Sequence, residues 1–361
     1  NTTAGDNTAV GKNSLGVNTT GTLNNAVGSG ALMANTTGSN NVALGNDALR
    51  FNTTADNNTA VGYQALFDNT TGTVNTAMGR QALQNNTTAD GNTAYGHNTL
   101  NTATTNGCNT AVGGSVLFNA TGHSNTGVGH SALSGLTSGN ENTGVGRDVM
   151  GAAVTGAGNS SLGYFTLNAL TSGSTNTAVG NGSSPILTTG SNNTTVGAAA
   201  GISLTTGSNN LLLGHDAGRS GSPGGLINTG SNQVVLGDEN ITDLFCADTS
   251  ISSSDQRDIT DIEDFTHGLN FVTKLNPKTY KWDKRAWYIS ENGSPQDFLN
   301  ATPDGSKKKN KKHIGFMAQD ILALEKEIGF ANDRDDMLIV NQTEDETQYG
   351  LKYERLVPIL V

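Results

Sequence analysis

The sequence predicts a mainly β chain in two parts, a parallel β-roll or β-solenoid shaft of 17-residue repeats followed by a small α+β domain. Three observations carry this. A phrase that is most often N-T-A-V-G returns thirteen times, closing on Gly11, Gly28, Gly45, Gly62, Gly79, Gly96, Gly113, Gly129, Gly146, Gly163, Gly180, Gly197 and Gly214. The steps are equal throughout except that from Gly113 to Gly129, which is shorter by one, and a last copy ends at Gly237; such a fixed period is the signature of a stacked repeat architecture. Within each copy apolar and small residues alternate with a period of two, and near residue 251 the repeat gives way to helical spacing.

The full unit is N-T-A-V-G-x-x-A-L-x-x-x-T-T-G-x-N. It offers two short extended pieces, one at T-A-V and one around A-L, as at Ala65-Leu66 or Ala132-Leu133. Threonine and valine are β-branched and suit strands, whereas the motif glycine and the T-T-G stretch supply turns. No copy has enough apolar surface to fold alone. Stacking at about 4.8 Å per rung is expected to bury a shared column of Val10, Val27, Leu44 and Val61. The motif asparagines, Asn7, Asn24, Asn41, Asn58, Asn75 and onward, are expected to form an amide ladder down one corner. Fourteen rungs make a shaft roughly 60–70 Å long.

Composition narrows the function. Of 361 residues, 47 are glycine and six are proline, and only 5% are aromatic. That is thin for a core, but the glycine is strictly periodic, so disorder is excluded. Burial is then expected to come partly from sister chains. Residues 1–248 carry a net charge of −7 and residues 249–361 a net charge of −4. An acidic, sparsely charged shaft argues against nucleic acid as a partner. No run of 18 apolar residues is present, so no membrane-inserted segment is expected. Asn1 begins mid-repeat and Val361 stops within an apolar run, so the chain is expected to be part of a longer protein.

Residues 1–214 form the regular shaft. The position after each motif glycine varies most and includes Lys12, Tyr63, Arg80, His97, His130, Arg147, Tyr164 and His215. If the glycine turns a corner, this column faces solvent; Tyr63, Arg80, His97, His130, Arg147 and Tyr164 are candidate contacts for a glycan or protein receptor, against the plainer reading of a solvated corner. His97, His130 and His215 stand rungs apart, so no metal site and no cofactor is expected. The many N-x-T triplets follow from the repeat and are discounted as glycosylation signals. Cys108 and Cys246 lack partners at metal or redox spacing and are expected to be small buried hydrophobes.

Residues 215–250 hold a Gly/Ser-rich insert, the final rung, and a stretch in which Ile241, Leu244 and Phe245 are expected to cap the stack. From 251 to 361 the spacing of Ile259, Ile262, Phe265, Leu269 and Val272 predicts a helix, followed by a strand at 279–282. A lysine-rich run at 307–312, with no aromatic interleaved, is expected to be a solvated hairpin tip. Beyond it the pattern predicts a short strand and then a helix with Ile321, Leu324 and Ile328 on one face; residues 348–353 lead from there into the expected start of another helix.

Two resemblances enter here. The N-T-A-V-G-x-x-A-L repeat is similar to that of trimeric autotransporter adhesin heads and to repeats in phage tail fibres, which implies a trimeric left-handed parallel β-roll. The C-terminal part resembles the intramolecular chaperone domain of endosialidases and phage tail fibres or tailspikes. It does so through Ser254-Asp255-Gln256-Arg257, Gly268-Leu269, Leu275-Asn276-Pro277 with Tyr280 and Trp282, Ile314 to Asp320 including Gly315 and Gln319, and Tyr353 to Pro358. The resemblance implies a homotrimer in which this domain sets chain number and register while the shaft folds. It also implies self-cleavage between Ser253 and Ser254, with Ser254 as nucleophile and Asp255 and Arg257 in the motif. The family's lysine base falls at Ile259, which weighs against cleavage, and Ser254 equally suits a helix N-cap. That family's helical tail would follow Val361.

The expected function is a structural and adhesive tail fibre, in a virion or outside the cell. A bacterial surface adhesin or extracellular filament is the alternative. A polysaccharide-degrading tailspike fits less well, because Asp47, Asp56, Asp68, Asp90 and Glu141 are scattered singly, whereas glycan cleavage needs paired carboxylates about 5–10 Å apart. At most the chain is an autoproteolytic serine peptidase. The physical need for a chaperone stands apart from any resemblance: near-identical rungs on separate chains can slip by one repeat at little cost, and intertwining them is a slow, non-local search.

Overall fold

The computed structural model describes residues 4–241, 264–289, 295–342 and 349–360. The chain divides into two compact units, residues 1–238 and 239–361.

The first unit is a parallel β-solenoid. Fourteen strands, from β1 (Thr8–Val10) to β14 (Val234–Leu236), form one sheet in strict sequence order. Register follows the repeat, Thr8, Ala9 and Val10 pairing with Asn25, Ala26 and Val27, and Leu211, Leu212 and Leu213 with Val234, Val235 and Leu236 across the insert. Each rung turns three times through left-handed backbone, for example at Val74, Gln81 and Leu83, whose φ values are 58°, 59° and 51°. Non-glycine residues seldom adopt this region; here inter-rung hydrogen bonds at each corner hold it, such as Gln81 N–H to Tyr63 O (2.9 Å) and Leu83 N–H to Thr99 O (2.9 Å). The motif glycine is required for a different reason. At Gly45 φ is +142°, and a Cβ there would run into the carbonyl oxygen of Gly62 on the next rung.

Alternation along the strands is as expected, but the inward face is the opposite one. The middle residue of T-A-V points inward: Ala26, Ala60, Ala77, Ala94 and Ala111 are all fully buried. Val10, Val27 and Leu44 face out, 56%, 37% and 48% exposed, and Val61 is only partly covered. The reason is volume. Leu32, Leu49, Leu66, Leu83 and their equivalents are fully buried and fill the narrow interior from the opposite wall, leaving room only for a small side chain on the strand. At Gly127 even an added Cβ would press on Val116 and Leu117.

The asparagine ladder exists, in somewhat different form. Asn24 N–H donates to Asn7 Oδ1 (2.8 Å), and Asn24 Nδ2 donates to Gly38 O (2.8 Å). The pattern runs on to Gln233 N–H on Asn210 Oδ1 (3.0 Å). Each motif Oδ1 thus accepts a backbone N–H from the next rung while Nδ2 clips the neighbouring turn, and on many rungs Nδ2 also donates to the preceding motif amide as expected, as in Asn159 Nδ2 to Asn142 Oδ1 (3.0 Å). A second ladder stands at Asn18, Asn35, Asn52, Asn69 and Asn86, each at most 4% exposed. Here too amide meets amide, as in Asn52 Nδ2 to Asn35 Oδ1 (2.9 Å) and Asn86 Nδ2 to Asn69 Oδ1 (2.7 Å). These asparagines belong to the N-x-T triplets, and burial closes them to modification in the folded shaft. The ladder ends where Ala103 takes the next position, leaving Asn86 Oδ1 buried with no hydrogen-bond partner. From there the corner is apolar, through Ala120, Leu136, Val154, Leu170, Leu187 and Leu204.

Cys108 is exposed rather than buried. It sits at φ 61° in the position before the motif asparagine, an outer corner in every rung. Cys246 lies outside the described residues.

The second unit is small and mixed. Among its described residues are helix α1 (Gly268–Val272), strand β15 (Lys278–Tyr280), helix α2 (Pro295–Asn300), strand β16 (His313–Gly315), helix α3 (Ala318–Glu327), strands β17 (Val340–Gln342) and β18 (Tyr349–Leu351), and helix α4 (Val357–Leu360). β15 pairs antiparallel with β16, and β17 with β18. Phe271, Ile321, Ile339, Val340 and Leu356 form the core. α3 lies where the pattern placed it, with Ile321 buried. The helix expected from Ile259 does not run that length: residues 259–263 lie outside the described residues, and α1 begins only at Gly268. Phe271, absent from the expected stripe, is buried, whereas Leu269 is 78% exposed; so short a helix cannot set up a full 3.6-period face. α2 and β17 carry no signal in the apolar spacing.

Candidate functional site

The shaft's distinguishing surface is the outward face of its sheet. In the longer strands Thr126–His130, Thr143–Arg147 and Ser160–Tyr164 the burial alternates. Strand alternation therefore puts Thr126, Val128 and His130 on one face, with Thr143, Val145 and Arg147 above them and Ser160, Leu162 and Tyr164 next. This face has three columns: threonine, apolar, and the variable position after glycine. The apolar column continues through Met78, Tyr95, Val112, Val179, Val196, Leu213 and Leu236, with Tyr95 55% and Leu162 50% exposed. Soluble single chains rarely leave so long an apolar strip open to water.

The candidate receptor contacts fall in the third column as two sets on consecutive rungs. Tyr63, Arg80 and His97 form one, with Arg80 Nη1 3.4 Å from His97 Nε2. His130, Arg147 and Tyr164 form the other; the Arg147 guanidinium sits 5.6 Å from the Tyr164 ring centre and pairs with Asp148 at 3.1 Å. They border the apolar column rather than standing alone at a corner.

In the second unit the chaperone-type motif residues converge around β15 and β16. Tyr280 stacks on His313 (5.7 Å between ring centres) and meets Trp282 edge-on (5.2 Å). Gly315 is buried against Tyr353, whose hydroxyl would collide with any Cβ there and accepts the Phe316 N–H at 2.9 Å. Gly315, Tyr280 and Tyr353, from three motifs far apart in sequence, therefore meet at one point. Burial, then the neighbouring Tyr353, pushes the Tyr280 hydroxyl pKa up. Gln319 lies exposed in the first turn of α3. Lys284 Nζ sits 5.4 Å from the Trp282 ring, and burial lowers its pKa.

The lysine run is exposed as expected, but it is not free of aromatics. Lys307 and Lys309 lie 5.4 Å and 5.2 Å from the rings of Tyr288 and Trp287, and Lys309 N–H donates to Trp282 O (2.8 Å). The aromatic partners come from an earlier stretch of the chain, beyond α2, so local interleaving could not reveal them. Glu325 carries no sequence signal either. Its carboxylate is fully buried on α3 and accepts the Ile339 N–H beside β17; desolvation raises its pKa.

Ser253, Ser254, Asp255, Arg257 and Ile259 lie outside the described residues, as do Leu244 and Phe245. Ile241 is described and 57% exposed. Sequence spacing shows no ligand cluster at any histidine, yet folding brings His215 together with Asp216 and Asp238. No helix among the described residues is long and apolar enough to cross a membrane.

No curated protein and no solved structure matches the chain. Residues 254–329 match the family described as chaperone of endosialidase, so a segment similar to that family accompanies the parallel β-solenoid shaft in one chain.

Proposed function

We propose that this chain is part of an adhesive phage tail fibre that works as a homotrimer, the C-terminal unit directing trimerisation and register of the shaft. The observation that carries this is the outward apolar column, present on all fourteen rungs and left open to water in a single chain. Two further copies of the same strip are its natural cover, and equal rung spacing on each copy makes the match continuous. The match of residues 254–329 to a chaperone family supports the assembly role. A shaft whose rungs all look alike needs such a device, since slipped alignments compete with the correct one.

In this reading the fibre sits on a virion and presents its variable column, Tyr63, Arg80, His97, His130, Arg147 and Tyr164, to a host surface glycan or protein. The Ser253–Ser254 bond stays intact, because Ile259 stands where a lysine base would have to activate the Ser254 hydroxyl.

Intact mass together with light scattering of the expressed chain tests this. A trimer of full-length chains is the expected result. A trimer lacking residues 254–361 would overturn the uncut form, and a monomer would overturn the assembly.

A further inference from the structure

The unusual cluster lies where the regular shaft meets its insert. His215 follows motif glycine Gly214, and Asp238 follows Gly237 on the next rung. Because Leu213 pairs with Leu236, the two positions stack in the same column. His215 Nδ1 lies 3.5 Å from Asp216 Oδ2 and 3.5 Å from Asp238 Oδ2, and the three ligand atoms all fall within 4.8 Å of one another. We propose that His215, Asp216 and Asp238 form a site for one divalent transition-metal ion of the zinc class, which staples the last two rungs together across the insert.

Three points support this. First, the distances suit a metal better than a proton. A hydrogen bond from a ring N–H spans about 2.7–3.2 Å, so neither 3.5 Å contact is one. Zinc bonds of about 2.0–2.2 Å to nitrogen and oxygen place neighbouring ligand atoms of a tetrahedron about 3.4 Å apart. Second, the donors are mixed. One imidazole with two carboxylates is a set that zinc accepts, whereas an all-oxygen cluster would suit calcium or magnesium. Third, the carboxylates are positioned by the fold. The Asp216 and Asp238 side chains are only 15% and 13% exposed; Asp216 N–H donates to Ala198 O (3.0 Å), and Arg219 Nη1 holds Asp216 Oδ2 at 2.7 Å. His215 is 67% exposed, which leaves an open side for entry and for a water as fourth ligand.

The gain falls where the shaft needs it. The step from Gly214 to Gly237 is longer than any other between motif glycines, so the last rung closes the longest loop of the shaft. A ligand set drawn from both of its rungs ties the ends of that loop.

The test uses the full chain and zinc ion alone, titrated by calorimetry, beside His215→Ala, Asp238→Asn and His130→Ala. Ala198 holds the same corner position one rung earlier, so His215→Ala keeps the fold, which circular dichroism without metal checks. One zinc per chain is expected in the unsubstituted protein and in His130→Ala, with binding at least tenfold weaker in the other two. Zinc should also raise the urea midpoint of the shaft, and His215→Ala should abolish that rise. No zinc binding, binding unchanged in His215→Ala and Asp238→Asn, or equal binding of magnesium would each overturn the proposal. None of these results depends on the fibre reading.

Discussion

Placing an acid in the outward column tests the proposed homotrimer most directly. Leu162 lies at the centre of that face, half exposed, with its neighbours Val145 and Val179 in the same column. In Leu162→Asp the chain's own interior is untouched, since Ser161 is the inward residue of that strand. Fully burying a leucine contributes about 1.5–3 kcal/mol, so the exposed half is worth about 1 kcal/mol per chain on association. The aspartate adds an unpaired carboxylate to a face being dried, which costs several kcal/mol more, and every copy brings its own to the same level. The sum per trimer is on the order of 10 kcal/mol, enough to split most assemblies. Sedimentation or light scattering should show the trimer lost, while circular dichroism keeps its β signature. A trimer that survives with an unchanged urea midpoint would refute the placement of the interface on this face. Loss of the β signature would refute the claim that position 162 faces away from the core.

Three further outcomes follow from the same geometry. Asn69→Leu removes an amide that donates to Asn52 Oδ1 and accepts from Asn86 Nδ2, leaving buried polar atoms unpaired at about 1–3 kcal/mol each; Asn86→Leu, at the ladder's end, should cost clearly less in urea unfolding. Gly45→Ala forces a Cβ onto the Gly62 carbonyl and should lower the shaft's midpoint more than any corner substitution such as His130→Ala. Both tryptophans, Trp282 and Trp287, lie in the second unit, so their fluorescence follows its unfolding separately. Desolvation raises the Glu325 pKa in the folded chain above its ordinary 4.5, so the penalty for the buried charge is full above the raised value. As pH falls through that value towards 4.5, the unsubstituted protein should gain stability relative to Glu325→Gln, and a constant difference would refute the burial of this charge.

The repeat made the shaft legible: period, strand position, parallel register and the first asparagine column were all written in residues 7–237. Which residue of T-A-V faces in was not, because alternation fixes that neighbours oppose, not which wall has room. Leu66 and its equivalents decide that from across the rung. The second ladder did have a signal, the N-T-T at Asn18, Asn35, Asn52, Asn69 and Asn86 giving way to an apolar residue before threonine, but it resembled a modification signal. In the second unit, α3 followed its spacing, whereas the meeting of Gly315, Tyr280 and Tyr353, or of Lys309 with Trp287, depends on distant contacts. His215 and Asp238 are separated by the whole insert in sequence and become adjacent only once the rungs stack.

The change from Asn86 to Ala103 divides the shaft into two grades of masonry. Below it, layers are joined at that corner by directional amides; above it, by grease. A layer copied from one stretch and inserted into the other would carry the wrong joint, so the shaft can lengthen cheaply only by duplicating a layer beside its own kind.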